Sequence, residues 1–282
     1  MFRFFSHYLV VKWVVFLRKA KIFINQVNIY LIIVVVRDLH LKTLIGLLAA
    51  VSFLIILLVV YFANPMQQIV WKGECSDCVA LTFDDGPNSP YTEQILDILQ
   101  EENVKATFFV LGQNVEFQPE IFSQVVGQGH EVGIHTYSHP FMPNTEDRIL
   151  IQEIYLSKSV LGNSGIDDFD TSEIKYFRPP NGLITPKQIK IVESLGLQVI
   201  NFNLDSRDYL GLSSEQIITK VLDNVEHGDI ILFHDGGGKT RKETVNALPY
   251  VIKGIKNKGY KIVTISEMLR SSYLLLNVAR SE

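Results

Sequence analysis

The run Val79-Ala80-Leu81-Thr82-Phe83-Asp84-Asp85-Gly86-Pro87 decides how this chain is read. Residues 79–83 read as a short buried strand, two adjacent carboxylates close it, and Gly-Pro turns the chain away. Further along, His135-Thr136-Tyr137-Ser138-His139 follows a second short apolar run at 131–134. A catalytic zinc usually takes three protein ligands from His, Asp and Glu and keeps one position open. Asp85, His135 and His139 supply such a set and leave Asp84 over as a base. Taken singly, Asp-Asp-Gly-Pro is an ordinary turn and His-x-x-x-His an ordinary loop; their placement after successive strands is what joins them.

Working outward, strands alternate with amphipathic helices. Strands are expected at 79–83, 106–111, 131–134, 176–178, 198–203, 230–233 and 260–264. Ser89-Pro90 offers an N-cap and a first-turn proline for a helix that turns Tyr91, Ile95, Leu96 and Leu99 inward. Further helices are expected at 119–126, from a Thr145 cap to 161, at 186–195, from a Ser213/Gln216 capping box to 225, and at 243–258. Such alternation implies a parallel sheet, open or closed into a barrel. In a barrel, functional residues gather at the C-terminal ends of strands. Asp84, Asp85, His135, His139, Arg178, Asp205, Asp208 and His234 all follow an expected strand.

The N-terminal part is of another kind. No charged residue lies between Lys42 and Lys72, and residues 44–63 come close to the roughly 20 apolar residues a bilayer-crossing helix needs. We read 44–63 as an uncleaved membrane anchor. It is longer than a signal-peptide core, and no clear small-x-small cleavage site follows. Arg3, Lys12, Arg18, Lys19, Lys21, Arg37 and Lys42 precede it against the single acid Asp38, which keeps the N-terminus cytoplasmic and puts the rest outside. Residues 1–43 read as a cytoplasmic or interfacial segment, or as the product of a start codon called too early. Residues 64–77 read as a linker, 78–270 as the folded domain and 271–282 as a tail.

The chain of 282 residues carries a net charge of −4, and the segment before the anchor is basic. The exported part is therefore acidic, which argues against nucleic acid as a partner. Cys75 and Cys78 are the only cysteines; outside the membrane they read as a small structural disulfide closing a tight loop, with little entropic gain. Leu232-Phe233-His234 places an imidazole suited to acid–base work after an apolar strand. Asp205-Ser206-Arg207-Asp208-Tyr209 offers an acid to tune it, and Arg178-Pro179-Pro180-Asn181-Gly182 a guanidinium to orient Asp84.

Together, Thr82 to Pro87, His135 to His139, Arg178 to Gly182, Asp205 to Tyr209 and Leu232 to His234 resemble the five ordered motifs of the polysaccharide deacetylases, carbohydrate esterase family 4. The resemblance runs from about Cys75 to Leu269. It implies an α/β fold, a distorted (β/α) barrel, here preceded by the transmembrane helix. It also implies a divalent metal, zinc in our reading, held by Asp85, His135 and His139, which polarises an acetamide carbonyl and acidifies the attacking water. Asp84 is then the base and His234 the acid that protonates the leaving amine. Asp208 tunes His234, Arg178 positions Asp84, and a backbone N–H near Asn181 helps hold the oxyanion. Pro180, Asn181, Tyr209 and Leu232 fall in the substrate groove. Two positions depart from the family pattern. Asn181 stands where an aromatic residue is common and Tyr209 where tryptophan is common, which bears on substrate preference rather than on chemistry.

The leading expectation is a membrane-anchored hydrolase removing N-acetyl groups from cell-wall glycan, with N-acetylglucosamine of peptidoglycan as substrate and acetate as product. A second reading is deacetylation of another N- or O-acetylated polysaccharide, such as chitin-like or matrix glycan or xylan. A third is a glycan-binding homologue without catalysis, against which the intact Asp84, Asp85, His135, His139 and His234 speak.

Overall fold

The computed structural model describes residues 51–55, 69–167, 169–238 and 241–270. Residues 51–55 are helical; the remainder of the expected span 44–63, the segment 1–43 and the tail 271–282 lie outside the described residues. Among the described residues no helix is long and apolar enough to cross a membrane.

The folded domain is built on a strand made from the opening motif. β1, Cys78–Asp84, is buried at every position, as expected of a central parallel strand covered on both faces. Its neighbours are β2 (Thr107–Val110), β3 (Glu131–Ile134), β4 (Tyr176–Phe177), β5 (Gln198–Val199), β6 (Leu204–Asp205), β7 (Ile230–His234) and β8 (Lys261–Val263). Their order is β5-β4-β3-β2-β1-β7-β6, with β8 beside the first residues of β1, and each pairing is parallel. The two end strands, β5 and β6, are consecutive in the chain. The sheet is therefore curled, a half-barrel wrapped by helices and consistent with a distorted (β/α) barrel.

The stretch 198–203, expected as one strand, is split for this reason. Residues 198–199 pair with β4, 204–205 pair with β7, and 200–203 cross the seam between the sheet ends. Val70 enters that seam, bridging Ile200 and exchanging backbone hydrogen bonds with Val199 and Asn201 at 3.0 and 2.7 Å. Lys72 bridges Asp229, and Cys75 is disulfide-bonded to Cys78. The last residues of the segment read as a linker thus pack into the domain.

Strand period two sorts β1. Val79, Leu81 and Phe83 join the larger core beneath the helices, whereas Ala80 joins a smaller inner cluster with Phe109, Tyr176 and Ile230. Thr82 and Asp84 share the inner face with Ala80. The outer face is covered by α1 (Tyr91–Glu101), α2 (Gly112–Phe117), α3 (Pro119–Gly127), α4 (Asp147–Gly162), α5 (Pro186–Ser194), α6 (Ser214–Leu222) and α7 (Lys242–Asn257). On α1, Thr92, Ile95, Leu96 and Leu99 are buried at helical spacing; each large apolar side chain contributes roughly 1.5–3 kcal/mol. The Ser213/Gln216 capping box forms, as does one at Thr185/Gln188. Ser89 and Thr145 do not cap their helices. Ser89 Oγ donates to Glu93 and Thr145 Oγ1 to the Phe141 carbonyl, and the α1 N–H groups of Tyr91 and Thr92 use the Asn88 carbonyl instead.

Candidate active site

Pairing registers bring the motifs together. Asp84 lies opposite His234 across β1 and β7, and Asp85 follows with a left-handed backbone (φ 73°). Ile134 pairs with Phe177, so His135 and Arg178 leave adjacent strand ends. The result is a cavity of about 250 Å³ lined by Asp84, Asp85, His135, His139, Asn181, Gly182, Phe202, Tyr209, Leu232, His234 and Arg241.

Asp85, His135 and His139 each present one ligand atom, all within 4.8 Å of one another. His135 Nε2 and His139 Nε2 lie 3.6 and 3.5 Å from Asp85 Oδ1. That carboxylate oxygen is buried and has no hydrogen-bond partner, an arrangement costly unless a cation is bound there. His135 Nδ1 faces the Arg178 carbonyl at 2.8 Å, which leaves Nε2 as the lone-pair nitrogen toward Asp85. Burial pushes His135 down to about 3, so its imidazole is neutral at physiological pH. Two imidazoles and a carboxylate form a donor set that fits a divalent transition metal.

Behind this set sits Arg178, fully buried and stacked over the Phe109 ring at 4.0 Å. Its Nη1 donates to Asp84 Oδ1 and to Thr82 Oγ1, both at 2.7 Å, and its Nη2 to the Asn201 carbonyl at 3.2 Å. Burial pushes the Asp84 carboxyl above the usual carboxylate range, against the pull of the guanidinium. One residue thus holds both Asp84 and, through its carbonyl, His135.

On the other side, His234 Nδ1 meets Asp208 Oδ1 at 2.7 Å. Asp208 Oδ2 accepts from the His234 N–H at 2.9 Å and from Thr244 Oγ1 at 2.8 Å. Burial works to lower the imidazole's pKa, but the Asp208 hydrogen bond and charge outweigh it and raise His234 above its ordinary value. For Asp208, burial works upward and His234 prevails, holding it below the carboxylate range. The Tyr209 ring packs edge-on to His234 at 5.3 Å, with its hydroxyl on Asp205 Oδ2 at 3.0 Å.

Most residues singled out from the sequence converge here, with differences of detail. Arg178 and Asp208 stand behind the cavity wall. Pro180 is buried and absent from the lining, because it opens the short turn Pro180–Gly182 in which Asn181 takes φ 57°. Phe202 and Arg241 line the cavity without having been foreseen. The signal for Arg241 was the neighbouring Gly236-Gly237-Gly238 run. Gly236 lies against the Asp85 backbone and Gly237 against the Asp85 carboxylate, and Arg241 Nε holds the Gly236 carbonyl at 2.7 Å. Asp235, also unforeseen, is buried, accepts from Thr92 Oγ1 and is raised by burial to about 7.

A family model described as polysaccharide deacetylase matches residues 72–200. A peptidoglycan-N-acetylglucosamine deacetylase of Bacillus cereus is 36% identical over 210 residues, covering 73% of this chain and 95% of the relative. The chain belongs to the polysaccharide deacetylase family. A chitooligosaccharide deacetylase of Bradyrhizobium is 31% identical, covering 67% of this chain and 90% of that protein. The crystal structure of the Bc1960 peptidoglycan N-acetylglucosamine deacetylase superposes with a TM-score of 0.67 at 34% identity, covering 72% and 92% of the two chains. As a polysaccharide deacetylase the protein is a hydrolase of N-acetylated glycans, and divalent-metal dependence is a property of its family.

Proposed function

We propose that this polysaccharide deacetylase removes N-acetyl groups from the N-acetylglucosamine residues of peptidoglycan at the outer face of a membrane, with zinc as its metal. The observation that carries the chemistry is the convergence of His135 and His139 on the buried Asp85 Oδ1, which has no hydrogen-bond partner, with Asp84 and His234 lining the same cavity. The substrate is supported by the 36% identity to the Bacillus cereus peptidoglycan-N-acetylglucosamine deacetylase. The location is supported by the uncharged run 44–63 and the basic residues before it.

When bound to Asp85, His135 and His139, a divalent cation supplies positive charge to the acetamide carbonyl oxygen and acidifies water. In our reading Asp84, held by Arg178, takes the proton from the attacking water as the new C–O bond forms. The Asn181 N–H donates to the developing oxyanion; the N–H groups of Gly182 and Leu183 are already used on the carbonyls of Pro179 and Pro180. His234 then gives its proton to the leaving nitrogen as the C–N bond breaks, releasing acetate and a free amino sugar. Asp208 keeps that imidazole protonated and its Nδ1 occupied, leaving Nε2 as the donor.

The test is acetate release by the metal-stripped chain before and after zinc reloading, on peptidoglycan and on N-acetylglucosamine oligomers. We expect zinc-restored release, faster on peptidoglycan. Preference for the free oligomers would favour the second reading, which the chitooligosaccharide deacetylase of Bradyrhizobium supports. Absence of release with any divalent metal would refute the catalytic assignment.

A further inference from the structure

The loop that carries both histidines of the metal set is unusual in its backbone. Thr136 and His139 adopt left-handed conformations, φ 71° and 61°. For side-chain-bearing residues this is costly, and it persists only where the surroundings over-determine it. Here they do. The Thr136 and Tyr137 carbonyls accept from the N–H groups of Gly112 and Gln113 at 3.0 and 3.1 Å, in the first turn of α2. The His139 N–H donates to Thr136 Oγ1 at 3.0 Å.

Three further donors of the loop converge on one side chain. Glu153, in the middle of α4, accepts at Oε2 from the N–H groups of Tyr137 (2.8 Å) and Ser138 (2.7 Å) and at Oε1 from Ser138 Oγ (2.7 Å). It is only 8% exposed. Among the described residues no lysine or arginine pairs with it. A buried carboxylate without a cationic partner is retained at a desolvation cost, and here its hydrogen bonds are to the segment between His135 and His139.

We propose that Glu153 is a positioning residue for the metal centre. By clamping Tyr137 and Ser138 it holds His135 and His139 at the separation from which both reach Asp85, so metal affinity is set partly from a helix that touches neither the metal nor the substrate. This rests on the reading of Asp85, His135 and His139 as metal ligands. No sequence motif marks Glu153, which sits in an amphipathic helix where glutamate ordinarily faces solvent.

The test is Zn²⁺ affinity, measured by competition with a chromophoric chelator, on the intact chain in detergent as wild type, Glu153→Ala, Glu153→Gln and Ser138→Ala. Alanine preserves the helix, so a folded Glu153→Ala is expected to lose about 10–100-fold in affinity. Its acetate release should return at saturating Zn²⁺ with KM unchanged. Glu153→Gln keeps an acceptor oxygen for the two N–H groups and is expected to stay close to wild type; a loss as large as alanine's would overturn the geometric role. Where Glu153→Ala does not fold, Ser138→Ala decides. It removes one of the bonds at an exposed residue, and an affinity equal to wild type there overturns the inference. A folded Glu153→Ala that binds Zn²⁺ like wild type also overturns it, while the metal reading stands. A wild type that takes up no Zn²⁺ overturns the metal reading and the inference together.

Discussion

Arg178→Met would test whether the interior of the barrel is organised by one ion pair. The side chain is fully buried, 2.7 Å from Asp84 Oδ1, and Asp84 is itself only 3% exposed. At an effective dielectric of about 20, unit charges about 4 Å apart attract by about 4 kcal/mol. Removing one member of a buried pair generally costs about 3–5 kcal/mol, because the survivor remains desolvated. Methionine keeps much of the contact with Phe109, so the loss should be mainly electrostatic, plus the Asn201 carbonyl left without its donor. The pH dependence has a definite sign. Without the guanidinium, the Asp84 carboxyl, already raised by burial, rises further. A carboxyl whose folded pKa exceeds its unfolded one contributes stability that is complete below the unfolded value, near pH 4, and is lost as pH rises through the folded value, at about 1.4 kcal/mol for each pH unit that separates the two. The deficit of Arg178→Met against wild type should therefore be smaller near pH 4, where the unpaired Asn201 carbonyl is what remains of it, and reach about 3–5 kcal/mol at pH 8. Urea unfolding in chelator, which keeps metal binding out of the balance, reads it directly. Adding Asp84→Asn should recover most of the deficit at pH 8. A deficit below about 1 kcal/mol at pH 8, one equal at pH 4 and pH 8, or a double variant no better than the single would refute the reasoning.

Asp208→Asn removes the charge that raises His234, so the alkaline limb of the kcat profile, where the acid loses its proton, should move to lower pH. A limb that stays in place would mean that another group sets it. His139→Ala should lose metal and acetate release together, whereas His234→Ala should keep the metal and lose turnover by about 10²–10⁴-fold; metal analysis beside activity separates them, and a fully active His139→Ala would refute the ligand assignment. Gly237→Ala puts a methyl against the Asp85 carboxylate at a left-handed position; it should weaken Zn²⁺ binding in chelator competition, and unchanged affinity would show that the loop yields freely.

Local signals were legible in the residues wherever chemistry and backbone agree over a few positions. The alternation of apolar runs and amphipathic helices announced a parallel sheet, and Ser213 with Gln216 announced a capping box that forms. Other local signals misled. Thr145 has a capping hydroxyl that turns back to the Phe141 carbonyl, and Ser89 spends its own on Glu93. The run 198–203 looked like one strand because its residues suit a buried strand on either side; nothing local says that the chain changes partners from β4 to β7 in its middle.

The sequence by itself determined which side chains are candidates for the chemistry. Asp84, Asp85, His135, His139, Arg178, Asp208 and His234 were identifiable because acid–base and metal-binding side chains placed after successive apolar runs can meet on a single sheet edge. The Arg178 guanidinium for Asp84 and Asp208 for His234 were legible with them; the tertiary structure decided what else holds the site. The Arg178 carbonyl on His135 depends on strand register, and the closing of the seam by Val70 and the cavity position of Arg241 on how the chain folds back. Glu153 and Thr244 lie on helices whose spacing shows only an amphipathic pattern, and their partners Ser138 and Asp208 are 15 and 36 residues away in the chain. Such contacts follow from how helices dock on the sheet, a property of the whole fold that no short window of residues contains.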